Sequence, residues 1–324
     1  TETLRRAGLE VGEVAGACFC CKFNDLVETL GNLAADQQPD VVLAEPVGSC
    51  TDLVATVVEP LRRLHGDRYD LGAYAVLAKP EHGRKILGGG RVGFSPKAAY
   101  IFKKQLEEAD LVVINKIDKL DPSEQQELLD LIKRTYPNKE TLAVSARRGD
   151  GLDALLSRMM QTDFSSRAAM EVDYDVYAEG EAELGWLNCR VVVNSADGDA
   201  AVSFSLDEFV LELARLFHQE LTNRDAETAH LKILGASGED VAIANSVSSE
   251  QEPELSMRSS VAVDSAELIV NARVATDPEE LAEIVRGQLA EIASSRGLQV
   301  AIHDLRSFRP GRPVPTHRDA PEQD

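Results

Sequence analysis

No run in this 324-residue chain approaches the roughly 18 uninterrupted apolar residues that a membrane-spanning helix needs. No signal peptide opens it at Thr1. Basic residues are scarce: 34 Lys and Arg stand against 55 Asp and Glu, a net charge of −21. A field of that sign repels nucleic acid and anionic membrane surfaces, so neither is expected as a partner. It favours solubility and cation capture, and most of the acid reads as a solvated surface. Heptads and internal repeats are missing, which leaves the oligomeric state open, an oligomer included. Cysteine is scarce too, at five residues, and an odd number crowded into one place argues against a disulfide framework. Clustered thiols without a leader point to the reducing cytoplasm.

What is present begins with Cys18-Phe19-Cys20-Cys21, three of the five cysteines within four positions. Thiolates at that density suit a soft metal ion such as zinc, cobalt, copper(I) or iron. The geometry makes a demand: in an extended segment Cys18 and Cys20 share a face and Cys21 points away, so all three reach one ion only if the chain turns. The plain alternative is two buried small hydrophobes beside a reactive thiol. A thiol redox pair ranks last, because Cys20-Cys21 lacks the C-x-x-C spacing.

From about residue 10 to 162, short apolar runs alternate with amphipathic stretches. Val41–Ala44, Ala73–Leu77, Leu111–Ile114 and Thr141–Val144 read as buried strands. Helices are expected over 24–35, 51–65, 96–108, 122–135 and 151–160. Such alternation predicts an α/β fold with a doubly wound, mostly parallel sheet, whose ligands sit at the carboxyl ends of the strands.

Three loops at those ends carry chemistry. Asn115-Lys116-Ile117-Asp118 follows one strand. The Asp118 carboxylate can accept hydrogen bonds from the ring N–H and exocyclic amine of guanine, a donor pair adenine lacks. Asn115 can brace the loop while the Lys116 stem packs on the base. Ser145-Ala146-Arg147 follows the next strand, where a backbone N–H can reach the guanine O6. Glu45-Pro46-Val47-Gly48 follows Val41–Ala44: an acid there can hold the water shell of magnesium, and Gly48 lets backbone approach a γ-phosphate. A strand-terminating Glu-Pro turn is the plain alternative. Cys50, just beyond, is close in sequence to this loop, and it or a water could complete a tetrahedral metal site.

Taken together, Gly16-Ala17-Cys18-Phe19-Cys20-Cys21, Glu45-Pro46-Val47-Gly48, Asn115-Lys116-Ile117-Asp118 and Ser145-Ala146 resemble the CobW/HypB/UreG class of P-loop GTPases, and within it the CobW-like metallochaperones. The resemblance spans residues 1 to about 162. It implies a GTPase whose C-x-C-C residues, Cys18, Cys20 and Cys21, bind zinc or cobalt. It also implies Glu45 in the magnesium-binding, catalytic switch and nucleotide contacts from Gly48, Asn115, Lys116, Asp118, Ser145 and Ala146. Metal would pass to a client metalloprotein or a cofactor-biosynthesis partner, cobalamin biosynthesis among the pathways. HypB- and UreG-type members are less similar, lacking this cysteine arrangement. Two departures stand out. No G-x-x-x-x-G-K-[ST] motif occurs in the chain; the nearest stretch, Gly88–Ser95, has Phe94 where lysine belongs and reads as a mobile glycine-rich loop. The expected account is a sequence starting downstream of a first strand and P-loop, with roughly 40–50 residues before Thr1. The alternative is a non-hydrolysing metal-binding or scaffold protein that has lost the P-loop. In addition, Pro46-Val47 follow the glutamate where hydroxyl residues are usual.

The second half carries no catalytic constellation. Residues 163–185 read as an acidic connector, with Val172, Tyr174 and Val176 alternating as an exposed strand would. Residues 186–308 show a strand-helix-strand-strand-helix-strand order, with an extra strand near Val241–Ala244, and predict a C-terminal α+β ferredoxin-like domain. Trp186 and Phe204 are expected in its core, His218 and His230 as ordinary histidines. The tail, 309–324, is proline-rich and charged and reads as flexible.

Overall fold

The computed structural model describes residues 2–89, 95–162, 169–195 and 203–319. The chain divides into two units: residues 1–178 with 312–324, and residues 179–311. These limits differ from the expected ones at both ends of the second unit. The expected glycine-rich loop falls mostly on residues 90–94, outside the described residues.

In the first unit, α1 (Glu2–Arg6) and α2 (Phe23–Gln37) precede a widened π-turn, Val54–Val58, that runs into α3 (Glu59–His65). Then follow β1 (Ala75–Ala78), α4 (Pro80–Leu87), α5 (Pro96–Glu108), β2 (Leu111–Ile114), α6 (Pro122–Thr135), β3 (Glu140–Ala143) and α7 (Leu152–Met159). The three strands form a parallel sheet in the order β1-β2-β3, in register Ala75 to Leu111 and Leu111 to Glu140. Strand β2 is buried throughout, and its alternation sends Val112 and Ile114 to one face with Leu106, Leu128 and Ile132. Leu111 and Val113 point to the other face, with Val144 and Leu155. Helices thus cover both faces, as a continuous apolar strand requires. Asp121 starts α6 with a capping box: its carboxylate accepts from the Ser123 and Glu124 N–H groups, and Glu124 reaches back.

One expected strand does not form. Val41–Ala44 forms no strand and pairs with none among the described residues, and Leu43 is 73% exposed. An apolar run becomes a buried parallel strand only beside a ladder partner and beneath covering helices, and no described strand pairs with it. The acidic connector is also different. Its second half is helix α8 (Tyr174–Ala182), and Tyr177 is buried to 1% exposure.

The second unit has the sheet order β11-β4-β10-β6-β7-β8, antiparallel throughout. Here β4 is Gly185–Ser195, β6 Thr228–Ser237, β7 Asp240–Ser246, β8 Glu254–Met257, β10 Ser265–Val274 and β11 Leu298–Phe308. With α9 (Leu206–Asn223) between β4 and β6, and α10 (Pro278–Arg296) between β10 and β11, the first four sheet positions follow the split βαβ order of a ferredoxin-like sandwich. Strands β7 and β8 extend its edge, and a two-residue ladder joins β5 (Phe204–Ser205) to β9 (Ala262–Val263). Leu187, Val191 and Val193 face the core with Phe209, Leu213 and Phe217 of α9. Phe204 joins that core. Trp186, one position out of phase, lies half-buried on the opposite face with Arg273 over its ring at 4.1 Å.

Glu108 ends α5 inside the first unit, its Oε2 accepting from the Val54 N–H at 3.1 Å and its Oε1 lying 3.5 Å from the Tyr74 hydroxyl. Burial, reinforced by the Asp52 charge, pushes its carboxyl from an ordinary 4.5 up to about 8. A carboxyl with a raised folded pKa holds more protons folded than unfolded, so its contribution to stability falls as pH rises from about 4.5 to about 8. Denaturant midpoints of the wild type should fall across that window, and Glu108→Gln should flatten the fall; identical pH profiles would contradict this assignment.

Candidate functional site

The cysteine loop makes the turn its spacing demands. The N–H groups of Cys21 and Lys22 both donate to the Cys18 carbonyl, at 3.1 and 3.0 Å, and swing Cys21 back beside Cys18. The three sulfurs lie within 4.8 Å of one another: Cys18 to Cys20 2.8 Å, Cys18 to Cys21 3.5 Å, Cys20 to Cys21 3.7 Å. Among the described residues no other His, Cys, Asp or Glu group of three or more meets that criterion. None of the five cysteines is in a disulfide. Helix α2 starts directly after the loop, so its N-terminal dipole favours negative charge on the sulfurs. Hydrogen bonds from the Cys20 and Cys50 thiols lower the Cys18 pKa, while that same pairing with Cys18, and burial, raise Cys20. Burial is the main cause that raises Cys21.

A segment expected to be flexible covers this loop. Residues 312–319 belong to the first unit. The Val314 backbone N–H bonds the Cys21 sulfur, and the Thr316 N–H donates to the Cys20 carbonyl at 2.8 Å. The Thr316 hydroxyl donates to the Cys21 carbonyl at 3.3 Å, and the His317 ring meets Phe23 edge-on at 4.8 Å. The strap is anchored by Arg318, whose Nε donates to Asp52 Oδ2 at 2.7 Å. Further ion pairs join Arg312 to Asp175 and Arg63 to Asp319.

Asp52 ends the stretch that carries Glu45, Gly48 and Cys50. Glu45 and Gly48 are exposed, and Cys50 is buried. The Cys50 N–H closes a turn onto the Val47 carbonyl at 2.8 Å, and Gln105 Nε2 of α5 donates to the carbonyls of Gly48 and Cys50 at 3.0 and 2.9 Å.

The loops after β2 and β3 interlock. Asn115 Oδ1 accepts from the N–H groups of Lys116 and Ala146, at 2.7 and 3.1 Å. Lys116 takes the left-handed conformation at φ 65°, which turns the chain from the strand into the loop. The Ser145 hydroxyl, on a fully buried residue, donates to Asp118 Oδ1 at 2.6 Å and lowers the Asp118 carboxyl from its ordinary range. Gly151, at φ 72°, lets the Ser145–Asp150 loop close: a Cβ there would strike the Ala143 carbonyl. Asn115, Lys116, Asp118, Ser145 and Ala146 are therefore brought into one place. The Ala146 N–H is engaged by Asn115. Sequence reasoning overlooked Lys79, at the carboxyl end of β1. Burial and the Lys116 charge push its ammonium down to about 8. Its only signal was position, a lysine directly after a strand in a sheet of this kind.

A parallel sheet sandwiched by helices, with Asn-Lys-x-Asp ending one strand and Ser-Ala following the next, defines an α/β nucleotide-binding domain. Residues 1–143 match the CobW/HypB/UreG nucleotide-binding domain, a family made up of GTPases. Two zinc-bound crystal structures of the YjiA GTPase, one of the protein from E. coli and one of a triple variant, each align at 12% identity. They cover 83% of this chain and 76% of that chain with a TM-score of 0.28, a likeness from which nothing further follows. No helix among the described residues is long and apolar enough to cross a membrane.

Arg318 answers a carboxylate whose side chain is only 1% exposed. Stranding a buried charge costs roughly 3–5 kcal/mol, and the partial exposure of Arg318 lowers this to about 2–3 kcal/mol. Arg318→Ala should reduce unfolding free energy by that amount and speed alkylation of Cys21. Unchanged stability and unchanged thiol reactivity would show that the strap does not hold the loop.

Proposed function

We propose that this chain binds GTP and couples its hydrolysis to the capture and delivery of a transition metal, zinc or cobalt. It would serve a client metalloprotein or a cofactor-biosynthesis partner in the cytoplasm. The observation that carries the reading is the presence, in one unit, of three thiols within 4.8 Å and the interlocked loops after β2 and β3.

The thiols fit such a cargo. Zinc–sulfur bonds of about 2.3 Å in a tetrahedron place sulfurs about 3.8 Å apart. The 3.5 and 3.7 Å separations match, and the 2.8 Å pair has to open by about 1 Å, using that same tetrahedral edge. Thiolate donors favour zinc or cobalt over magnesium.

The base pocket fits guanine. With its pKa lowered, Asp118 is ionised and acceptor-only at neutral pH, and Ser145 fixes its orientation. Two acceptor oxygens suit the ring N–H and amine of guanine and leave adenine unpaired. Glu45, which is exposed, is the carboxylate that would hold the hydrated magnesium of the nucleotide, and Gly48 would admit the γ-phosphate. Magnesium supplies charge neutralisation between the phosphates. The second reading is a non-hydrolysing metal-binding or scaffold protein, which the thiol cluster taken alone would support.

Titration with fluorescent GTP and magnesium, with and without zinc and with ATP as competitor, separates the two. We expect guanine-selective binding, weakened at least about tenfold in Asp118→Ala. No binding, or equal displacement by ATP, would overturn the GTPase reading and leave the second.

A further inference from the structure

We propose that Cys50 is the fourth sulfur ligand of the metal site, so that the bound ion joins the cysteine loop to the turn behind Glu45 and Gly48. The proposal deepens the metal reading above and rests on it. Three thiolates leave one position of a tetrahedral ion open. A fourth sulfur stands beside them: Cys50 and Cys20, each 2% exposed, share one apolar cluster, against which Cys18 and Cys21 pack. The Cys50 thiol is itself a hydrogen-bond partner of Cys18. The chain's remaining cysteine, Cys189, lies in β4 of the other unit.

The position of Cys50 is built rather than incidental. Its N–H closes the Val47 turn, and Gln105 clamps the carbonyls on either side of Ser49. The strap fixes the backbone of the cysteine loop through Thr316. The strap, reaching Asp52 through Arg318, already joins the two segments indirectly, and a shared ion would be a direct bond between them.

Cys50 stands outside the set of sulfurs that all lie within 4.8 Å of one another. Closing a four-sulfur shell therefore draws the 47–50 turn toward the cysteine loop, and any displacement of that turn pulls one ligand away. Loading forms four metal–sulfur bonds and releases to solvent the protons those thiols still carry. Release breaks the Cys50 bond first and leaves a three-thiolate site with an open position for an incoming ligand. The same residues thus define a closed holding state and an open transfer state.

Cobalt(II) is the probe. With the full chain, reduced and titrated with cobalt, Cys50→Ser should lower the thiolate-to-cobalt charge-transfer intensity by about one quarter, from four sulfurs to three. Cys189→Ser should leave it unchanged. Because a buried serine can disturb folding, X-ray absorption on the zinc-loaded wild type gives an independent count: four sulfurs at about 2.3 Å support the assignment. Three sulfurs with one oxygen or nitrogen, or an undiminished cobalt spectrum in Cys50→Ser, would overturn it while leaving the three-cysteine site standing. A wild type with no charge-transfer band would instead remove the metal reading beneath it, and the Cys50 assignment with it.

Discussion

A carboxylate removed from water has to be answered by a cation or by hydrogen bonds, and Asp52 finds both far away in the chain. Its Oδ2 takes the Arg318 guanidinium at 2.7 Å and the Tyr174 hydroxyl at 2.8 Å. Asp52 itself sits at φ 66°, a conformation that costs an L-residue energy and persists where the surroundings over-determine it. Three stretches meet on this one side chain: the loop that follows Glu45, the start of α8, and the C-terminal strap. The strap in turn supplies the backbone bonds that hold the cysteine loop. The shape of the thiol cluster therefore depends on an ion pair outside it.

The arrangement puts the elements of the proposed coupling on one short segment. Between Glu45 and Asp52 lie the carboxylate assigned to magnesium, the glycine assigned to the γ-phosphate, the thiol assigned to the metal and the anchor of the strap. Gln105 and the Val47 turn keep this segment in shape while its outer end, at Glu45, stays exposed. Coupling between two ligands requires an element whose arrangement both of them bias, and this segment is the element available. The loops after β2 and β3 are more self-contained, because Asn115 and Ser145 stitch them together across neighbouring strands.

Much of this was legible in the sequence where the signal is local. Leu111–Ile114 is continuous, apolar and bounded, and it forms a strand at those limits. Asp277-Pro278 marks the start of α10 through an N-cap and a proline at N1. The Asn115–Asp118 and Ser145-Ala146 loops were readable because their residues sit at strand ends, and the cysteine turn followed from the need to bring three sulfurs together. What failed depends on partners distant in sequence. Val41–Ala44 looks like β2 in composition, yet no described strand pairs with it. The alternation of Val172, Tyr174 and Val176 suggested a strand, while the three-residue step from Tyr174 to Tyr177 is the period the helix uses to bring both hydroxyls to Thr51 and Asp52. Prolines and charges made residues 312–319 read as loose, because an ion pair spanning 266 positions leaves no local mark.

The central claim is that metal and nucleotide are coupled through the Glu45–Asp52 segment, and zinc affinity measured with no nucleotide, with GDP and with GTP tests it most directly. The account predicts that GTP and GDP give different zinc affinities, typically by about 5- to 150-fold for coupled sites. The same factor should appear in the ratio of GTP to GDP affinity when zinc is added. Zinc affinities that are identical in all three conditions would contradict it, whatever each ligand does alone.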